Sequence, residues 1–198
     1  MKPVSSWHFG GDLKAALISA ARTIVEEEGA AALTLRGVAR ATGVSAMAPY
    51  HHFSDRTALV AAVAAAGFAQ LYSDKMAVLA TTPGDPAQRI VAGAIAYVRF
   101  VADHPELYRL MKSPELVNRF AYPDLAAAAA RPGASLHAML AELAAAGRLH
   151  GVTPAAAGQI IWAMVHGIAT LAIDAYLTEP EALAADGAAA LLAGWGAL

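Results

Sequence analysis

The 198-residue chain has no cysteine, which excludes a disulfide scaffold and any thiolate metal site. Aromatic residues make up 7% of it and charged residues 15%, against 58% hydrophobic residues. A chain that apolar does not stay disordered, and one with a net charge of -2 lacks the cations to coat nucleic acid unselectively. The opening MKPVSSWHFGGDLK lacks the continuous apolar stretch of an export signal. The longest apolar run, 160–173, is shorter than a bilayer crossing and contains His166. The expectation is a soluble, cytoplasmic protein that neither leaves the cell nor enters a membrane. The seven histidines are scattered, no HExxH is present and no glycine-rich loop follows a strand, so no enzyme, metal or cofactor is expected.

What the chain does have is alanine and helical periodicity. β-branched residues never alternate over a usable length, so the expected fold is all helical. Leu13, Leu17, Ala21, Ile24 and Val25 form one apolar stripe, with Gly29 placed to end that helix. Ser54 is positioned to cap a long helix through Leu59, Val63 and Leu71 towards Leu79, before the break at Thr81, Thr82, Pro83 and Gly84. Further helices are expected at 86–102, from His104-Pro105 to about 112, and at 115–121, 123–130, 135–147, 153–176 and 179–192. No repeat of solenoid length is present.

The segment 34–56, TLRGVARATGVSAMAPYHHFSDR, carries the most information. Thr34 suits the N-cap of a helix whose apolar residues Leu35, Val38 and Ala39 share one face. Gly43 supplies a turn, and Ser45 is placed to cap a second helix running to about His52. Two short helices about a tight turn read as a helix-turn-helix, whose second helix enters a major groove. Charge supports this weakly: residues 1–60 sum to +1 and the remainder to -3.

The order of TLRGVARATGVS, the block Tyr50-His51-His52-Phe53, the start Asp55-Arg56 and the preceding helix at 13–29 resembles the N-terminal domain of tetracycline-repressor (TetR) family transcriptional regulators. The string HPELYRLM at 104–111, with Trp162 and His166-Gly167, is similar to the C-terminal ligand domain of some members, named for its Trp-His-Gly signature. The resemblance implies an N-terminal three-helix DNA-binding domain at 1–57 and a helical ligand-binding and dimerisation domain at 58–198. It also implies a homodimer paired through its last two helices, acting as a repressor on a palindromic double-stranded DNA operator and released by a small, largely apolar effector.

By the family pattern, the DNA-binding residues are Thr34, Arg36, Ser45, Ala46, Met47, Ala48, Tyr50, His51, His52 and Arg56. Ala46, Met47 and Ala48 offer only apolar contact, for example with thymine methyl groups. Arg36, Tyr50 and His51 supply polar groups, and His52 and Arg56 match positions that usually meet phosphate. Pro49 lacks an amide and disfavours helical geometry at Ala48, which predicts a distorted first turn. Candidate effector residues are Tyr97, Phe100, Tyr108, Met111, Trp162, Met164 and His166, because a helical domain with sparse polar groups suits an apolar ligand. The expected dimer seam sets Ile160, Ile161, Val165, Ile168 and Leu171 against Leu183, Leu191 and Leu192. The competing reading is a helical small-molecule-binding or interaction protein that reads no DNA sequence, favoured by the poor charge of the recognition helix.

Overall fold

The computed structural model describes residues 12–198, and among them there are eight α-helices and no strand. They are α1 (Leu13–Glu28), α2 (Leu35–Thr42), α3 (Arg56–Thr81), α4 (Pro86–Asp103), α5 (Pro105–Met111), α6 (Pro123–Ala145), α7 (Pro154–Ile173) and α8 (Pro180–Gly194). Residues 1–11, with most of the segment judged to lack an export signal, lie outside the described residues.

The helix starts follow local chemistry. α4, α5, α6, α7 and α8 each begin on proline, whose missing amide is no loss in a first turn. Side-chain oxygens satisfy free amides at α1, α2 and α7: Asp12 accepts from Ala15 at 2.9 Å, Thr34 from Gly37 at 2.9 Å and Thr153 from Ala156 at 3.2 Å. At α3 the cap is Asp55, which accepts from the Ala58 amide at 2.8 Å, while Ser54 donates to the other Asp55 oxygen at 3.1 Å. A carboxylate suits the positive end of a helix better than a hydroxyl, which accounts for Asp55 taking the place expected of Ser54.

Two other expectations are corrected. The segment 115–121 forms two 3-10 turns, Pro114–Leu116 and Arg119–Ala121, with Val117 and Phe120 between and within them exposed; it buries too little to continue as a helix. The separate helices expected at 123–130 and 135–147 are one helix, α6, which runs straight through Pro132.

The chain divides into two compact units that interleave along the sequence. The first holds residues up to Phe68 together with His104–Ala128. In it α1 packs on α2 and α5 over a core of Leu17, Val25, Leu33, Val38, Leu59 and Leu107. α3 and α5 approach closely at Gly67, where an added Cβ would lie 2.7 Å from the sulfur of Met111. The second unit holds Ala69–Asp103 and Ala129–Leu198. There α4 packs on α7 and α8 over Ile90, Val98, Leu140, Leu143, Ile161 and Leu192. Arg99 pairs with Glu181, linking α4 to α8, and Arg148 binds both Asp85 and the Ala197 carbonyl.

α7 is long and apolar enough to cross a membrane by length and composition. Its apolar residues are split between two surroundings. Ile161, Val165 and Ile168, expected in a dimer seam, are buried within the protomer, as is Leu192 of α8. Ile160, Trp162 and Leu171 of α7 and Leu183 of α8 are each more than 40% exposed. With 3.6 residues per turn, Ile161, Val165 and Ile168 recur on one face and Ile160 and Leu171 on another.

Candidate DNA-reading segment and effector residues

The turn after α2 is built as its sequence suggests. Gly43 adopts a left-handed conformation (φ 70°) that a side chain disfavours, and the Val44 amide closes the helix end on the Ala39 carbonyl at 3.0 Å. The second limb of the motif is not an α-helix from Ser45 to His52. The Ala48 amide donates to the Ser45 carbonyl at 3.0 Å, and a 3-10 helix then spans Ala48–His51. Pro49 is the physical reason: the α-helical bond to the Ser45 carbonyl would have to come from the amide it lacks, so the tighter i→i+3 bond forms instead. The Pro49 ring is buried, and its carbonyl accepts from His52 at 3.0 Å and Phe53 at 2.9 Å.

This geometry sorts the candidate DNA residues. Thr34, Arg36, Ser45, Ala46, Met47, Tyr50, His51 and His52 are exposed, and Ala48 is half-buried. Met47 at 64% and Tyr50 at 43% exposure are large side chains left on the surface. Phe53, only 3% exposed, anchors the end of the segment in the core. Thr34 commits its hydroxyl to the α2 cap, and no side-chain bond from Ser45 caps the 3-10 helix.

Arg56 sits differently from its neighbours. Its Nε donates to the Leu33 carbonyl at 2.9 Å and its Nη2 to the Ala30 carbonyl at 2.8 Å, while Nη1 pairs with Glu115 at 2.6 Å. The guanidinium expected at a phosphate is committed inside the first unit, tying the approach to α2, the start of α3 and the turn after α5 together. Glu115 was not identified in the sequence because its partner lies 59 residues away and no local pattern marks it. Beside it, His104 Nδ1 lies 3.0 Å from Glu26, which also accepts from Arg22 at 2.9 Å, so α1 is held to the start of α5.

A shallow groove of about 160 Å³ in the first unit is lined by Lys14, His52, Phe53, Ala62, Tyr122 and Leu125 among others. Of the expected DNA residues it includes His52 alone, and of the expected effector residues none.

The effector candidates fall in both units. Tyr108 and Met111 belong to the first, where both are buried; the Lys112 ammonium lies 5.8 Å from the Tyr108 ring centre. Burial, followed by the charge of Arg119, lowers the Lys112 pKa. Tyr97, Phe100, Trp162, Met164 and His166 belong to the second unit. Phe100 is buried, Tyr97 and Met164 are half-buried, and Met164 packs against Gly187 of α8. Trp162 and His166 stack face to face, with ring centres 5.3 Å apart and planes 10° from parallel. One polar residue of the second unit escaped the sequence reading altogether: Lys75 is buried on α3.

A helix-turn-helix with an exposed second limb, joined to a helical region poor in polar groups, defines an all-helical DNA-binding transcriptional regulator. The family description "Bacterial regulatory proteins, tetR family" matches residues 17–63, and "Tetracyclin repressor-like, C-terminal domain" matches residues 90–193. The chain belongs to the TetR family. Among solved structures, a protein of unknown function from Rhodococcus sp. RHA1 is 28% identical, with a TM-score of 0.84 over 97% of this chain and 100% of that one. The TetR-family regulator PfmR of Thermus thermophilus is 22% identical, with a TM-score of 0.65 over 89% of this chain and 97% of that one. FadR of Bacillus subtilis, solved in complex with stearoyl-CoA, is 15% identical, with a TM-score of 0.73 over 93% and 99%. A comparison with curated protein sequences finds no match.

Proposed function

We propose that the protein is a homodimeric repressor that binds a palindromic operator and is released by a small, largely apolar effector. The observation that carries this reading is the exposed apolar set on the last two helices: Ile160, Trp162, Leu171 and Leu183. A second copy related by two-fold symmetry would cover that set and would present two DNA-reading segments to half-sites about 34 Å apart. In this reading α7 is apolar because it faces its own core on one side and a partner helix on the other, which removes the need for a membrane. The protein then works in the cytoplasm, without catalysis or cofactor.

On DNA, Tyr50, His51 and Arg36 supply the polar readout, Met47 and Ala46 the contact with thymine methyl groups, and His52 a phosphate contact. Arg56 acts by holding this segment in place. Effector binding among Tyr97, Phe100, Trp162, Met164 and His166 would alter operator affinity by linkage, with a coupling of about 1–3 kcal/mol. In this reading DNA reading belongs to the first compact unit and ligand control and pairing to the second, so the boundary falls at residue 68 rather than 57 and 104–128 stays with the reading segment.

Sedimentation of the wild type and of an Ile160→Asp/Leu183→Asp variant tests the reading. The wild type is expected as a dimer and the variant as a folded monomer with operator affinity reduced at least roughly a hundredfold, since one half-site loses the gain of bivalent binding. A monomeric wild type, or a dimer with no preference for a palindrome over random DNA, overturns it; the latter result would favour a ligand-binding protein that reads no sequence.

A further inference from the structure

Lys75, in the second half of α3, is 6% exposed and is the buried charged side chain of the described residues. Its Nζ donates to the Pro132 carbonyl of α6 at 2.9 Å. The same carbonyl accepts from the Ser135 hydroxyl at 3.0 Å. No carboxylate among the described residues pairs with this ammonium: Asp74, its neighbour in sequence, accepts from Gln70 at 2.6 Å. The second cation in the vicinity is Arg131, whose guanidinium lies 4.1 Å from the ring centre of Tyr72, one turn before Lys75. α4 leaves room for the lysine stem at Gly93, where an added Cβ would lie 3.1 Å from Lys75 Cε and 3.9 Å from a Leu79 methyl group.

An ammonium carries three donors, and a single carbonyl uses one of them. A buried cation without an anion is held at a cost, and here burial pushes the Lys75 pKa down to about 8. At neutral pH the amine still carries its charge. For packing alone, methionine would fill the same length without that cost.

We propose that Lys75 is the fixed charge that receives the carboxylate of an apolar organic acid, and that this acid is the effector; the second half of the proposal rests on the ligand-released reading above. The chemistry favours a monoanion. One ammonium, that of Lys75 with two donors left over, matches the single charge of a carboxylate, whereas a phosphate dianion needs further charge and donors. The carboxylate takes the two donors of Lys75 that the Pro132 carbonyl leaves open.

The test uses the full-length protein and matched pairs of probes that differ only in charge: octanoate with octanamide, and phenylacetate with phenylacetamide. Binding is measured by calorimetry at pH 7, and operator release by fluorescence anisotropy. The wild type is expected to bind at least one acid roughly tenfold or more tightly than its amide, as a charge-assisted bond at a desolvated site requires. In Lys75→Met the acid and amide of that pair should bind within about a factor of two of each other, because the charge that distinguishes them is gone. The comparison of acid with amide in the wild type needs no variant, so a misfolded Lys75→Met leaves the proposal open to refutation. Equal binding of acid and amide by the wild type, retained discrimination in Lys75→Met, or no binding of either acid overturns it. Acid binding that depends on Lys75 but leaves operator affinity unchanged upholds the site and removes the effector role. Operator release by acid and amide alike upholds the effector reading and removes Lys75.

Discussion

Two prolines lie inside segments that the sequence marks as helical, and the chain treats them in opposite ways. At Pro49 the α-helix never forms and a four-residue 3-10 helix takes its place; at Pro132 a 23-residue α-helix passes through. The missing amide is the same in both, so the difference lies in the surroundings. Pro49 comes four residues after the start at Ser45, where the costly first turn is still being nucleated, and Ser45, Ala46, Met47, Tyr50 and His51 on either side of it are exposed. Pro132 comes nine residues into α6, where helix on both sides is stabilised by burial of Leu125, Leu136, Met139 and Leu140. Lys75 and Ser135 bind the Pro132 carbonyl, and Arg131 rests on Tyr72. Packing overrides a local rule only where there is packing to be had.

Four substitutions would break or sharpen that contrast. The largest effect is expected from Leu140→Ala. Its side chain is fully buried two turns beyond Pro132, and its removal should cost about 2–5 kcal/mol in chemical denaturation, whereas a change below about 1 kcal/mol would show that burial does not hold α6 together.

Next comes the pH dependence of stability. The Lys75 pKa is about 8 in the folded protein against 10.5 for an ordinary lysine, so the unfolded chain binds more protons between those values and stability rises with pH across that window. The rise should amount to about 3 kcal/mol at most. Lys112 is lowered as well, by a burial that Lys75→Met does not touch, so the part of the rise that Lys75→Met abolishes belongs to Lys75. An identical pH profile in the two proteins would mean that the amine is solvated.

Arg56→Ala should cost about 1–3 kcal/mol, because it strips the Leu33 and Ala30 carbonyls and Glu115 of their donor. Operator affinity should fall with it while the salt dependence of binding stays the same; a slope lower by about one unit would instead assign Arg56 to a phosphate. The smallest stability effect belongs to Pro49→Ala. Ala restores the amide and frees the unfolded chain, which should lower stability by about 0.4–1 kcal/mol while raising helical ellipticity and changing operator preference. Unchanged ellipticity would show that something other than the proline holds the 3-10 form.

The long, strongly periodic features are legible in the sequence. The stripe of α1, the Thr34 cap, the Gly43 turn and the helical nature of the whole chain all arise from local residue chemistry within a few positions of one another. Pro49 announced a distortion, although its extent depended on whether neighbours could compensate. What stayed hidden depends on partners far apart in sequence. The pairing of Arg56 with Glu115 appears only when the fold brings the two together, and Lys75 is one lysine in an apolar stripe until α4 and α6 close over it. Ile161 and Ile168 have the same composition as Ile160 and Leu171, and only the fold separates those that face the protomer's interior from those that face outward.

The contact between Arg56 and Glu115, with His104 held at Glu26, makes the DNA-reading head a discontinuous object. Its helix-turn-helix is complete by residue 53, yet α5 and the turns after it belong to the same compact unit. A chimaera that grafts residues 1–68 onto another ligand-sensing chassis would arrive without the piece that closes it. For exchange between regulators, the heritable cassette is therefore two stretches of chain, with 104–128 travelling alongside the reading head or being matched by the recipient.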